Sequence, residues 1–134
     1  MIYIHQLLKE RGEKDFILLV GEEIMLAECL KLSCSMGVIG GANIFPALYV
    51  RLYEAVIRGE ADQVKKWQAI IQRLQQAVYH VIHSPMQFVI GIKYLVWEKG
   101  ICSAQMAIPV YRELTGEQKK NIEKLVAEFD NLGL

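Results

Sequence analysis

Three groups of residues have types and spacings that could do chemistry. The first is the run 37–60, GVIGGANIFPALYVRLYEAVIRGE, where a short apolar stretch enters a Gly-Gly pair and a helix with a proline near its start leaves it. Such a turn can aim backbone N–H groups at an anion. It lacks the GK[ST] of a phosphate loop and the full G-x-G-x-x-G of a dinucleotide site, and a sharp strand-to-helix turn needs small residues for its backbone alone. The second group is Glu22 and Glu23, which as paired carboxylates could do acid–base work. Adjacent residues on one turn rarely converge, however, and no third polar group supports them. The third is His80 and His83. Metal-binding histidines on a helix favour i, i+4 spacing or a carboxylate on the same face, so this HxxH pair is expected at the boundary between a buried and a solvated face. Cys29, Cys34 and Cys102 are odd in number, have no CxxC spacing, and read as buried thiols of a reducing compartment.

The elements that must position these residues follow from apolar periodicity. Residues 2–11 read as a helix with Ile4, Leu7 and Leu8 on one side and Gly12 as its stop. Phe16 to Val20 is an unbroken apolar run, the pattern of a strand buried on both faces in a parallel sheet. A helix carrying Ile24, Leu26, Ala27, Leu30 and Leu32 closes around Ser33 to Ser35. Met36 to Ile39 is the second strand, closed by Gly40 and Gly41. Pro46 suits the first turn of the next helix, whose stripe is Leu48, Leu52, Tyr53, Val56 and Ile57, with Gly59 at its end. Val64, Trp67, Ile71, Leu74, Val78 and Val81 predict one amphipathic helix of about six turns, broken at Ser84 and Pro85. Phe88, Val89, Ile92, Leu95 and Val96 mark another, ended by Gly100. Thr115 and Gln118 form a capping-box pair opening a last helix with Ile122, Leu125, Val126 and Phe129 inward. Tyr49, Tyr53, Trp67 and Trp97 fit helical stripes and read as core or interface. Lys65-Lys66 and Lys119-Lys120 read as solvated faces.

The order helix–strand–helix–strand–helix over residues 1–60 is that of parallel α/β architecture, and residues 61–134 are helical. Two strands cannot form a stable sheet alone, since both are edges with unpaired backbone groups. They must pair with another chain or be covered by helices. The chain has 134 residues, is 53% hydrophobic and carries 15 basic against 15 acidic residues. That is one modest core. The charge balance argues against nucleic acid as a main partner, and near-neutrality favours self-association. Without a signal peptide or a run of about 18 apolar residues, the sequence reads as a soluble cytoplasmic protein.

The stretch VGEEIMLAECLKLSCSMGVIGGANIFPALYVRLYEAVIRGEADQVKKW resembles the dihydrodipicolinate synthase / N-acetylneuraminate lyase family of class I, pyruvate-type aldolases. Its matching elements are G-x-[DE] at Gly21, Glu22 and Glu23, and the motif of Gly37, Ile39, Gly41, Ala42, Asn43 and Pro46. The helix ending in Arg58, Gly59 and Glu60 matches too, as do the downstream Ile92, Lys93, Leu95, Gly100 and Ile101, a proline, and the helix start from Leu114 to Gln118. The resemblance implies a partial (β/α)8 barrel, its last two strands with their helices over 1–60, and a C-terminal helical extension over 61–134. It implies that Gly21 and Glu23 line the distal part of a substrate pocket, and that the Ile39 carbonyl and the Gly40 and Gly41 backbone face the pyruvate-derived part. No cofactor or metal is implied. The family's Schiff-base lysine and proton-relaying tyrosine would precede Met1, so neither role falls on a residue here. The family usually has one more residue between Ile39 and Asn43. The expected function is therefore that of a truncated aldolase or lyase segment for pyruvate or another 2-oxo acid, inactive alone. The alternative is a non-catalytic homo-oligomer whose orphan strands pair with one another, and a third possibility is an N-terminal barrel partner chain.

Overall fold

The computed structural model describes residues 2–14, 16–83, 87–102 and 113–134. Helix α1 (Ile2–Arg11) ends where Gly12 takes a φ of 52°. Strand β1 (Leu19–Val20) leads through a 3₁₀ turn (Glu23–Met25) into the short α2 (Leu26–Lys31), and Ser33 at a φ of 71° turns the chain toward β2 (Met36–Gly37). A second 3₁₀ turn (Gly40–Asn43) enters α3 (Pro46–Ile57), which begins on the proline as its fixed φ and missing donor predict. Then come α4 (Ala61–Leu74), a π turn (Gln75–Tyr79), α5 (Gln87–Glu98) and α6 (Gly116–Asn131). Ser84 and Pro85, where a helix break was expected, and Pro109 of the family pattern lie outside the described residues.

Strands β1 and β2 pair in parallel, Leu19 beside Met36 and Val20 beside Gly37. The hydrogen bonds Ser35 N–H to the Leu18 carbonyl (3.1 Å) and Val38 N–H to the Val20 carbonyl (2.9 Å) lengthen the contact. The apolar runs predict strands buried on both faces, and the structure corrects this. Val20 is buried, but Ile17 (66% exposed), Leu19 (45%), Met36 (51%) and Val38 (68%) meet solvent. Helices cover one face, and no other strand among the described residues covers the other.

Helix α3 differs from its predicted stripe for a related reason. Leu48, Tyr49, Leu52 and Ala55 are buried, whereas Tyr53 and Ile57 are exposed beside Val50. The helix carries two apolar faces, and the sequence does not say which one turns inward. In α5 the buried residues are Ile90, Gly91, Tyr94 and Leu95, and Phe88 is exposed. The long helix predicted from residue 61 is α-helical only to Leu74; its last turn widens to an i→i+5 pattern in which His80 N–H reaches the Gln75 carbonyl at 3.2 Å.

Helix α6 matches its predicted pattern. Gln118 N–H donates to Thr115 Oγ1 (3.3 Å) and Thr115 N–H to Gln118 Oε1 (2.8 Å), closing the capping box. Gln118 Nε2 also donates to the Val81 carbonyl, tying α6 to the segment after the π turn. Ile122, Leu125, Val126 and Phe129 point inward. Phe129 meets Phe45 edge-on at 5.2 Å between ring centres, so one core joins the strand–helix half to the helical half. Arg51 donates to the Leu132 and Gly133 carbonyls (3.3 and 2.9 Å), satisfying the open end of α6. Cys29 and Cys34 are buried, and burial pushes the Cys29 thiol up from its ordinary range; Cys102, expected inside, is exposed.

Candidate functional site

Glu22 and Glu23 leave β1 on a tight turn that sends them in different directions. Glu22 is exposed and accepts a hydrogen bond from Gln75 Nε2 at 3.3 Å. Glu23 points inward and is 4% exposed. A carboxylate without partners at such depth would be strongly disfavoured. Here three donors converge on it. Gly41 N–H donates to Oε1 at 2.7 Å, the Tyr79 hydroxyl also donates to Oε1, and the Tyr49 hydroxyl donates to Oε2. One side chain thus joins the end of β1, the Gly40–Asn43 turn, α3 and the π turn.

Each contact has a local cause. Asn43 Nδ2 donates back to the Gly40 carbonyl at 2.9 Å, and the Ile44 and Phe45 amides both donate to the Gly41 carbonyl, so the turn curls and frees the Gly41 amide for Glu23. No side chain fits at Gly41. A Cβ there would overlap the Tyr49 hydroxyl and stand 2.7 Å from that of Tyr79 and 2.9 Å from Glu23 Oε2. Tyr79 reaches the carboxylate because the π turn adds a residue to the helical repeat after Leu74. Gly91 lets α5 lie directly on that turn, since a Cβ there would overlap the Val78 carbonyl oxygen.

Burial, and next the neighbouring Glu23 charge, push the Tyr49 hydroxyl far above its ordinary 10.0. Tyr79 moves the same way, through burial and then its hydrogen bond to Glu23. Both groups therefore remain protonated donors in the folded chain after they would ionise in the unfolded one. Above about pH 10 the unfolded state holds fewer protons, so stability falls as pH rises. The expected slope reaches about 1.4 kcal/mol per pH unit for each tyrosine, with no such loss below about pH 9. Denaturant melts across this range, with tyrosinate absorbance compared between the parent and its Tyr49→Phe and Tyr79→Phe variants, check it: the share of absorbance each variant loses should appear with unfolding and not before it.

A cavity of 380 Å³ opens beside the cluster, lined by Gly21, Glu22, Glu23, Gly40, Gln75, Tyr79 and His80 among others. It brings together three of the five residues expected to line a substrate pocket, Gly21, Glu23 and Gly40, with Glu22 and His80 beside them. Ile39 lines a separate apolar groove with Met36, Pro46, Val50 and Tyr53. The Gly41 amide is committed to Glu23, so the anion held by the Gly-Gly turn is the chain's own carboxylate. His80 and His83 are both exposed. Among the described residues no cluster of three His, Cys, Asp or Glu could hold a metal. Nor is any helix among them long and apolar enough to cross a membrane.

Sequence reading missed the roles of Tyr49 and Tyr79. Tyr49 sits beside Leu48 as one more apolar stripe member, and its hydroxyl partner lies 26 residues away. Tyr79 is 56 residues from Glu23, and only the π turn gives it the right direction. No local spacing encodes either contact.

Comparison with known proteins bears on the whole arrangement. The family model for the Dihydrodipicolinate synthetase family matches residues 2–129. Among solved structures, the dihydrodipicolinate synthase of the commensal bacterium Bacteroides thetaiotaomicron superposes with a TM-score of 0.85 at 27% identity, covering 95% of this chain and 43% of that one. The chain therefore spans less than half the length of the structure it matches. No curated protein sequence gives a match. With the two-strand α/β corner, the glycine turn and nearly all of the helical part accounted for, the chain belongs to the dihydrodipicolinate synthetase family.

Proposed function

We propose that this chain is the C-terminal segment of a Schiff-base-forming aldolase or lyase acting on pyruvate or another 2-oxo acid. In this reading residues 1–60 supply the last two barrel strands and residues 61–134 the helical extension. Gly21, Glu23 and Gly40 belong to the wall of the substrate pocket, and Ile39 and Gly41 hold the shape of its corner. The observation that carries the reading is the match over residues 2–129 joined to a pocket with no lysine among the described residues that line it. An imine requires an amine within reach of the substrate carbonyl. All ten lysines fall among the described residues, none is buried and none lines the pocket. The chain alone should then form no imine. Incubation with pyruvate and borohydride, read by intact-mass spectrometry, should leave its mass unchanged, and a trapped adduct on any lysine would overturn the proposal.

The exposed Ile17, Leu19, Met36 and Val38 favour a second reading, a non-catalytic assembly in which these strands pair between copies. Light scattering on the purified chain separates the two, since a monomer at micromolar concentration excludes self-pairing as its resting state.

A further inference from the structure

We propose that the cleft between α2 and the outer face of α4 binds a small amphiphilic carboxylate, one that carries an N–H donor on its apolar body.

The cleft has a volume of 610 Å³ and shares no lining residue with the cavity beside Glu23. Sites for small molecules usually span roughly 300–1,000 Å³. Helix periodicity builds both walls. On α4 the residues Trp67, Ile70, Ile71 and Leu74 enter the core, and Val64, Lys65 and Gln68, a turn apart, face the cleft. Ile24, Ala27, Glu28 and Lys31 repeat the same three- and four-residue steps on the other wall.

Gln68 sets the first requirement. Its Nε2 donates to the Ile24 carbonyl at 2.8 Å, which fixes the amide, because the reverse orientation would set oxygen against oxygen. Oε1 is then the free end. It is buried, and no donor among the described residues reaches it. Buried acceptors are nearly always paired, so the cleft calls for a molecule that brings a donor.

Charge sets the second. Two lysines and one carboxylate line the cleft, an excess of one positive charge. Glu28 is taken by Lys31 at 2.7 Å. Lys65 has Asp62 at 3.9 Å, with the two side chains 81% and 99% exposed, a contact that holds little. Its ammonium is available to an anion. The third requirement is the floor, where Ala27 is buried and Val56 and Val64 pack against the core.

Simpler occupants each leave one requirement unmet. Water satisfies Gln68 and leaves the apolar floor wet. A simple inorganic anion answers Lys65 and turns acceptors toward Gln68 Oε1. A hydrocarbon covers the floor and leaves Oε1 unpaired. A carboxylate whose apolar body carries an N–H answers all three.

The test titrates the ¹⁵N-labelled full chain with N-acetyl-L-leucine. Resonances of Val64, Lys65 and Gln68, the Gln68 side-chain amide included, should shift and saturate. The acid 4-methylpentanoate keeps the charge and the branched body without the donor. N-acetyl-L-leucinamide keeps the donor without the charge. Each should bind at least about tenfold more weakly. Lys65→Ala, at an exposed position, should weaken the first probe at least about fivefold while the thermal midpoint stays at the parent's value. Lys66→Ala is the control and should change nothing, since that ammonium lies over the Trp67 ring at 4.4 Å and outside the cleft. Shifts that grow without saturating would overturn the proposal and leave water as the partner of Gln68. Equal binding of the three probes, or parent affinity in Lys65→Ala, would overturn it as well.

Discussion

Glu23→Ala should cost the fold about 3 kcal/mol or more. The change removes an acceptor that serves three buried donors at once, and each buried donor left unmade costs roughly 1–3 kcal/mol. Water entering from the adjoining cavity would recover part of that loss, which keeps the estimate near the low end of the sum. Glu23→Gln should be far milder, at about 1 kcal/mol. Its amide oxygen still accepts from Gly41 and Tyr79, and the Tyr49 hydroxyl can turn to accept from the new NH₂ group. Urea melts of the two variants check the order. Equal losses would mean that charge, and not the count of acceptors, holds the cluster. No loss in either would mean that the carboxylate does not occupy this place in solution.

The second large effect is expected at a glycine next in the chain to Ile92 of the cavity wall. Gly91→Ala adds one methyl group where α5 crosses the π turn. It would overlap the Val78 carbonyl oxygen and stand 2.8 Å from the carbonyl carbon. Both are backbone atoms, so no rotamer change relieves the contact and α5 must move away. A loss of about 3 kcal/mol, the upper part of the range for overpacked cores, is expected. The variant should also show a specific change that general loosening would not. Val78 precedes Tyr79, so displacing the π turn lets Tyr79 titrate nearer to its ordinary 10.0 while Tyr49 stays high. An alanine variant as stable as the parent, with both tyrosines unmoved, would contradict the packing described here.

The parts of this molecule that could be read from sequence are those encoded within a few residues. The Thr115–Gln118 cap, the inward stripe of α6, Pro46 at the start of α3 and the left-handed ends at Gly12 and Gly59 all rest on local chemistry. So does the recognition of a strand–turn–helix corner at Gly40 and Gly41. What escaped was set by distant partners. The inner face of α3 depends on which of two apolar stripes finds a core, and an apolar run does not say whether one or both faces of β1 and β2 are covered. Glu22 and Glu23 look alike in sequence, and the Gly41 amide with Tyr49 and Tyr79 makes the second of them a core residue. His80 and His83 were expected where a buried face meets a solvated one, and both are exposed.

The Gly-Gly corner is held by the chain's own carboxylate, and the Gly41 amide reports on that contact most directly. In a ¹H–¹⁵N correlation spectrum of the labelled full chain its resonance should carry the downfield shift and slow exchange of an amide bound to a carboxylate. It should stay in place as phosphate or pyruvate is added, and collapse toward ordinary values in Glu23→Ala. A Gly41 resonance that moves and saturates with either ligand in the parent chain would contradict the account.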